Sequence, residues 1–277
     1  MQTCRYRSLA LLGGVFLVAQ TLQAQYASEI IQYTPGSGGA PGFNDPASAL
    51  GEPSRITPGQ FGGPVDPFSP AYLNSQLVSI GAGGSLTVRF SQPVLNDPAH
   101  PAGLDFQIFG GAGFIITNAF DENFNFIGTP ATDGSLFGAQ TGETRVSVSA
   151  DGTTFFTLNP ALAPAIEALF PMDGSGDFTR PVDPSLTYAS FAGLTLEGIR
   201  ALYAGSGGGT GYDLAWAQDL NGQPVNLSSV QYLRVEVLTG KAELDGFSLI
   251  AVPEPPVWAL LGSGVLWLGR RLRGTRS

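Results

Sequence analysis

The chain has one cysteine, Cys4, and one histidine, His100. Cys4 precedes an apolar run near the amino terminus, so a product that begins after that run carries no thiol. Disulfides, thiolate metal centres and cysteine nucleophiles are then excluded. A Ser-His-Asp triad would have to use His100, which in Pro98-Ala99-His100-Pro101 reads as an ordinary loop residue. Glycine runs such as Gly207-Gly208-Gly209-Thr210-Gly211 lack the Gly-Lys-Ser/Thr ending of a phosphate loop, and no Gly-x-Ser-x-Gly elbow follows a strand pattern. Charge is sparse, at 13% of residues, and basic charge sparser still. From Gln25 through the Pro-Glu-Pro motif near the carboxyl end there are 7 basic against 22 acidic groups, a net of −15, and Lys241 is the sole lysine. Such a surface repels nucleic acid and anionic membrane, so no nucleic-acid partner is expected, and it favours divalent cations or a hydrated matrix.

What the chain does have is informative at both ends. Arg5 and Arg7 precede an almost wholly apolar stretch, Ser8 to Leu22, and Leu22-Gln23-Ala24 supplies small-residue cleavage chemistry. That order is a secretory signal peptide, handled by the secretion translocon. Its apolar core, Leu9 to Ala19, is too short to span about 30 Å of hydrocarbon. Residues 1–24 are expected to be removed, the alternative being a buried first helix of the domain. Cys4 lies ahead of the apolar core and so cannot be the acylated cysteine of a lipoprotein.

At the other end, Val252-Pro253-Glu254-Pro255-Pro256 is followed by the apolar run Val257 to Gly269 and by Arg270, Arg271, Arg273 and Arg276. In this order the segment 252–277 resembles the PEP-CTERM sorting signal of Gram-negative bacteria. The resemblance implies that an inner-membrane exosortase cuts near Pro253-Glu254-Pro255 and passes the protein to the cell surface or the exopolysaccharide matrix. Elementary lengths agree: thirteen residues at about 1.5 Å each make roughly 20 Å of helix, short for a permanent anchor. Cytoplasmic Arg270, Arg271 and Arg273 would retain the tail until it is cut. A permanent single-pass anchor is the alternative reading.

Between the signals, residues 25–251 are long enough for one large domain with its own core. Period-two alternation recurs. In Ser85 to Phe90 the residues Leu86, Val88 and Phe90 share one face, and in Leu104 to Ile108 the residues Leu104, Phe106 and Ile108 do. Similar strands are expected at Glu29–Tyr33, Gly113–Asn118, Thr144–Ser149, Thr154–Leu158, Tyr212–Trp216, Gln231–Val237 and Ala242–Ile250. Ala150-Asp151-Gly152 is a hairpin signal. Only Ala161–Phe170 reads as helical, and Pro164 limits it to a turn or two. The pattern predicts an all-β antiparallel sandwich, jelly-roll-like, with the Gly/Pro stretches Pro35–Pro70 and Gly205–Gly211 as loops at the sheet ends. Two phrases, Ala47-Ser48-Ala49-Leu50-Gly51-Glu52-Pro53 and Val146-Ser147-Val148-Ser149-Ala150-Asp151-Gly152-Thr153-Thr154-Phe155, resemble the galactose-binding-like, discoidin-type sandwiches of bacterial surface proteins.

The acidic excess invites calcium. Asp121-Glu122-Asn123-Phe124-Asn125 begins like an EF-hand loop, but Phe126 stands where that loop needs glycine and Thr132 where it needs glutamate. Asp245 is the better candidate for a structural calcium, because it shares strand parity with Phe247 and Leu249 and would point toward the core. Asp213 and Asp105 could share that role, whereas a bulge at Gly246 would instead turn Asp245 outward. No other cofactor is required and no catalytic residue is identified. The expected protein is a non-enzymatic, exported surface or matrix protein that adheres to or structures exopolysaccharide. A calcium-dependent lectin and a polysaccharide hydrolase or lyase with paired carboxylates are the alternatives.

Overall fold

The computed structural model describes residues 25–139, 142–167 and 170–251. The signal segment, Pro253-Glu254-Pro255, the apolar tail and its arginines lie outside the described residues. Among the described residues no helix is long and apolar enough to cross a membrane.

The main strands are β1 (Ala27–Thr34), β2 (Val78–Gly81), β3 (Ser85–Leu95), β4 (Phe106–Gly110) and β5 (Thr144–Ser149). They continue with β6 (Phe156–Leu158), β7 (Thr210–Tyr212), β8 (Ala217–Gln218), β9 (Ser229–Val237) and β10 (Lys241–Leu249). A six-stranded sheet has the order β1-β3-β9-β5-β6-β8 and a four-stranded sheet the order β7-β4-β10-β2. Every strand pairing in them is antiparallel. The expected all-β class is therefore present.

Alternation decides which side of each strand is buried. Leu86, Val88 and Phe90 of β3, Val146 and Val148 of β5 and Leu233, Val235 and Val237 of β9 line one face of the larger sheet. They share a core with Val78 and Ile80 of β2, Phe106 and Ile108 of β4, and Leu244 and Phe247 of β10. Each such side chain contributes about 1.5–3 kcal/mol by leaving water, which makes the facing of the two sheets the dominant stabilising feature. The hairpin at Ala150-Asp151-Gly152 forms as expected: the Asp151 carboxylate accepts from Thr153 N and Thr154 N, both at 2.8 Å, and Gly152 adopts φ +75°.

The four-stranded sheet is also covered on its second face, by chain without long strands. Phe109 of β4 packs there with Tyr26, Val65, Ala71, Leu77, Met172 and Phe178. Gln107 Nε2 and the Ser248 hydroxyl both donate to the Phe178 carbonyl. The glycine run belongs to this layer and not to an open loop, since Gly207, Gly208 and Gly209 are buried. A Cβ on Gly207 would stand 2.3 Å from the Phe178 ring, and one on Gly209 2.6 Å from Phe109. Glycine is there because two aromatic rings occupy the side-chain space, which is not phosphate chemistry.

Other expectations shift in detail. Ala161–Glu167 forms turns, with Leu162 N and Ala163 N both donating to Asn159 O. Among the described residues the α-helix is α1 (Leu196–Tyr203), whose amino end is capped by the Thr195 hydroxyl accepting from Gly198 N. Ile199 and Tyr203 of α1 join Phe114, Phe170, Val182 and Phe191 in a third apolar cluster. Gly113–Asn118 keeps only the ladder Gly113–Phe114, paired with Leu136–Phe137. Tyr212–Trp216 ends as a strand at Tyr212, because the Asp213 side chain accepts from Ala215 N and starts a 3-10 turn over Leu214–Trp216.

Candidate functional site

The acidic residues singled out from sequence occupy two separate places. Asp105 is 1% exposed, and its carboxylate is filled by donors from two loops. Oδ1 accepts from Asp97 N at 3.2 Å and from His100 Nδ1 at 2.7 Å, while Oδ2 accepts from Leu214 N at 2.8 Å. His100 is consequently no ordinary loop residue: it is buried, and it locks the 97–105 loop to the start of β4. Asp213 neighbours this knot and spends Oδ1 on the Ala215 N–H at 2.7 Å. Burial pushes the Asp213 carboxyl above its ordinary range, the Ala215 N–H opposes that, and the Asp105 charge adds to it.

Asp245 stands elsewhere. The β10–β4 register slips between Leu244 and Gly246, so Leu244 and Phe247 both reach the core while Asp245 turns to the other face of the sheet. The outward bulge is thus the arrangement observed, yet Asp245 remains 3% exposed, since the loop bearing Ser54 lies over it. Oδ1 accepts from Ser54 N at 2.7 Å, and Oδ2 is buried with no partner. Burial pushes its pKa from 3.8 up to about 7, against the Ser54 hydrogen bond. Asp245 lies beside Phe109 and Gly110, whereas Asp105 lies beside Ile250 at the other end of β4. Four residues of strand separate them, roughly 13 Å. The three aspartates therefore do not meet around one ion, and among the described residues no three His, Cys, Asp or Glu side chains gather as a metal group. In the EF-hand-like stretch the Asp121 carboxylate accepts from Asn123 N and Asn125 N and shapes a turn.

A different set of residues forms an open groove. Ile56–Thr57 pairs with Gly63–Pro64, and the turn between them carries Phe61, which is 86% exposed. The Tyr72 hydroxyl donates to Phe61 O at 3.1 Å and so fixes the two aromatic residues relative to each other. Phe137 sits over Gly113, where a Cβ would approach its ring to 2.8 Å. Tyr72 is 49% and Phe137 44% exposed. Together with Phe68, Asp66 and Thr57 they line a cavity of about 430 Å³. The Thr57 hydroxyl is buried in that lining without a partner. Asp66 Oδ1 accepts from Phe68 N at 2.8 Å and Ser69 N at 3.0 Å, which holds the turn that forms one wall.

Sequence reasoning passed over all of these residues. One signal was present, since Phe61 lies in Gly59-Gln60-Phe61-Gly62-Gly63, where a large ring has no neighbours able to bury it.

Fold and groove define a two-sheet antiparallel β domain with an aromatic, solvent-facing cleft. No family model matches the sequence, and no curated protein does. Among solved structures four chains match. One of them is described as "Structure of a pectin binding carbohydrate binding module determined in an monoclinic crystal form", with 7% identity over 65% of this chain and 75% of that chain and a TM-score of 0.24. At that score no residue is carried across from it.

Proposed function

We propose that the chain is an exported, non-enzymatic protein whose β domain adheres to polysaccharide through the Phe61, Tyr72 and Phe137 groove. The observation that carries this reading is the set of three exposed rings around one cavity. The face of a sugar ring is lined with C–H groups that stack on an aromatic face, while its rim of hydroxyls needs the few polar groups a groove provides. Asp66, in the wall of the groove, is such a group. The exposed rings of Phe61, Tyr72 and Phe137 gathered at one place also mark an interaction site.

The test is retardation of the purified protein in gels containing a panel of neutral and acidic polysaccharides. Phe61→Ala with Tyr72→Ala is expected to weaken retention by about tenfold or more, each ring being worth on the order of 1 kcal/mol. Leu220→Ala, at an exposed turn remote in sequence, should leave it unchanged. Equal retention by wild type and the double variant, or release of reducing ends from the polysaccharide, would overturn the reading, the latter in favour of a hydrolase.

We further propose that Pro253-Glu254-Pro255 directs exosortase processing, with Arg270, Arg271 and Arg273 retaining the tail at the inner membrane beforehand. The order of motif, short apolar run and arginines supports this. Replacing the motif by alanines should leave uncut protein in the inner-membrane fraction. Mass spectrometry that finds Val257–Ser277 still attached to surface protein would show a permanent anchor instead.

A further inference from the structure

We infer that the aromatic groove is one half of a longer cleft, and that its ligand is an uncharged polysaccharide chain, not a polyuronate or other polyanion. The inference rests on the polysaccharide reading and names the class of ligand.

A second cavity, of about 510 Å³, lies on the far side of the Asp66–Ser69 turn and shares Asp66, Phe68 and Ser69 with the first. Its apolar lining includes Ile116 and Leu196, and its polar lining includes Glu197 and Arg200 from α1. A chain molecule lying against the rings of the first cavity would reach the second by crossing the shared turn at Asp66.

The charged groups of the second cavity decide what can follow that path. Arg200 is held along one edge by Asp173, Nε donating to Oδ2 at 2.7 Å and Nη2 to Oδ1 at 3.0 Å. The Asp173 side chain is 2% exposed, and Ser175 donates to it through both its N–H and its hydroxyl. The guanidinium is thereby fixed in place with its charge already matched, while 40% of the side chain stays open. It can donate a directed hydrogen bond, but it cannot neutralise an incoming anion as well. Asp66 and the exposed Glu197 remain as carboxylates lining the path. They accept hydrogen bonds from sugar hydroxyls, and charge-assisted bonds of this kind are the strong ones. Toward a chain that brings its own carboxylates they are repulsive, and so is a region from Gln25 through the Pro-Glu-Pro motif that carries 7 basic against 22 acidic groups. Attraction to hydroxyls and repulsion of acids come from the same two residues.

Calorimetric titration of the wild-type protein separates the possibilities. The probes are neutral gluco-oligosaccharides of increasing length and oligogalacturonates of matched length, each at low and high salt and with and without Ca²⁺. Affinity for the neutral probe should rise once the chain is long enough to cross Asp66. Glu197→Ala should remove about tenfold from the long neutral probe and nothing from the short one. Asp66→Asn with Glu197→Gln, which keeps acceptors and removes charge, should raise oligogalacturonate affinity several-fold, most at low salt. A wild-type preference for oligogalacturonate, alone or in Ca²⁺, overturns the inference and leaves the polysaccharide reading standing. Length-independent binding that ignores Glu197→Ala overturns it too. Failure to be retarded by any polysaccharide in the gels would sink the parent reading instead.

Discussion

Asp105→Ala should lower the melting temperature by about 10 °C, several times the loss expected at its neighbour Asp213. The substitution strands the N–H groups of Asp97 and Leu214 and removes the partner of buried His100. Breaking a buried, fully bonded carboxylate costs about 3–5 kcal/mol, and a domain of this size loses about 2–4 °C per kcal/mol. Asp213→Ala is the informative contrast. Asp213 caps one short 3-10 turn through Ala215 N and is disfavoured by its own burial and by the Asp105 charge. Its removal should cost about 1 kcal/mol or less. If instead the two aspartates jointly held a calcium ion, the two variants would lose similar amounts, and both losses would vanish in chelator. Thermal denaturation of the three proteins with and without chelator decides between a hydrogen-bonded knot and an ion site.

Asp245→Asn should have the opposite sign. With a folded-state pKa pushed from 3.8 to about 7, the native protein holds a proton that the unfolded chain has released. Asp245 is therefore no burden below about pH 4. Its contribution to stability is lost as pH rises toward 7, and the full cost stands above that. The difference between the two forms amounts to roughly 4 kcal/mol. An asparagine amide left unpaired where Oδ2 now lies takes back about 1–3 kcal/mol. The net expectation is a gain of about 2 kcal/mol at pH 8, or roughly 5 °C, shrinking to nothing or reversing near pH 4. Calcium bound at Asp245 would invert this result: chelator at pH 8 would then lower the wild-type melting temperature, and the asparagine variant would be the less stable protein. Melting curves at the two pH values, each with chelator and with Ca²⁺, distinguish a proton from a cation as the partner of Asp245.

The residues differ in how visible these roles were. Asp245 was singled out by alternation with Phe247 and Leu249, but alternation presumes an unbroken strand. The slip between Leu244 and Gly246 changes the face of everything before it, and only the pairing partner β4 reveals the slip. His100 looked idle because its flanking prolines describe the local chain, and its partner Asp105 acts from the start of the next strand. Ala161–Glu167, expected to be helical, forms turns, and the helix among the described residues is α1, where Gly198 weakens the local propensity and burial of Ile199 and Tyr203 with Phe191 restores it.

What the sequence by itself determined is the set of properties that repeat along the chain. Period-two alternation sets the all-β class and the inner faces of β3, β5 and β9, since each strand must bury one row of side chains wherever it ends up. Composition sets the absence of thiol chemistry in a product beginning near Gln25 and the acidic surface. The segments proposed as signals, 1–24 and 252–277, are legible in the sequence for a related reason: a translocon or a sorting enzyme would read such a segment locally, from its own order of residues. Only the tertiary structure decided the groove and the two buried carboxylates. Phe61, Tyr72 and Phe137 come from separate turns and short ladders, and they meet because the layer over the four-stranded sheet packs on Phe109 and Phe178. That meeting depends on which distant segments close against each other, a matter of volume and register in the folded state that no local pattern encodes.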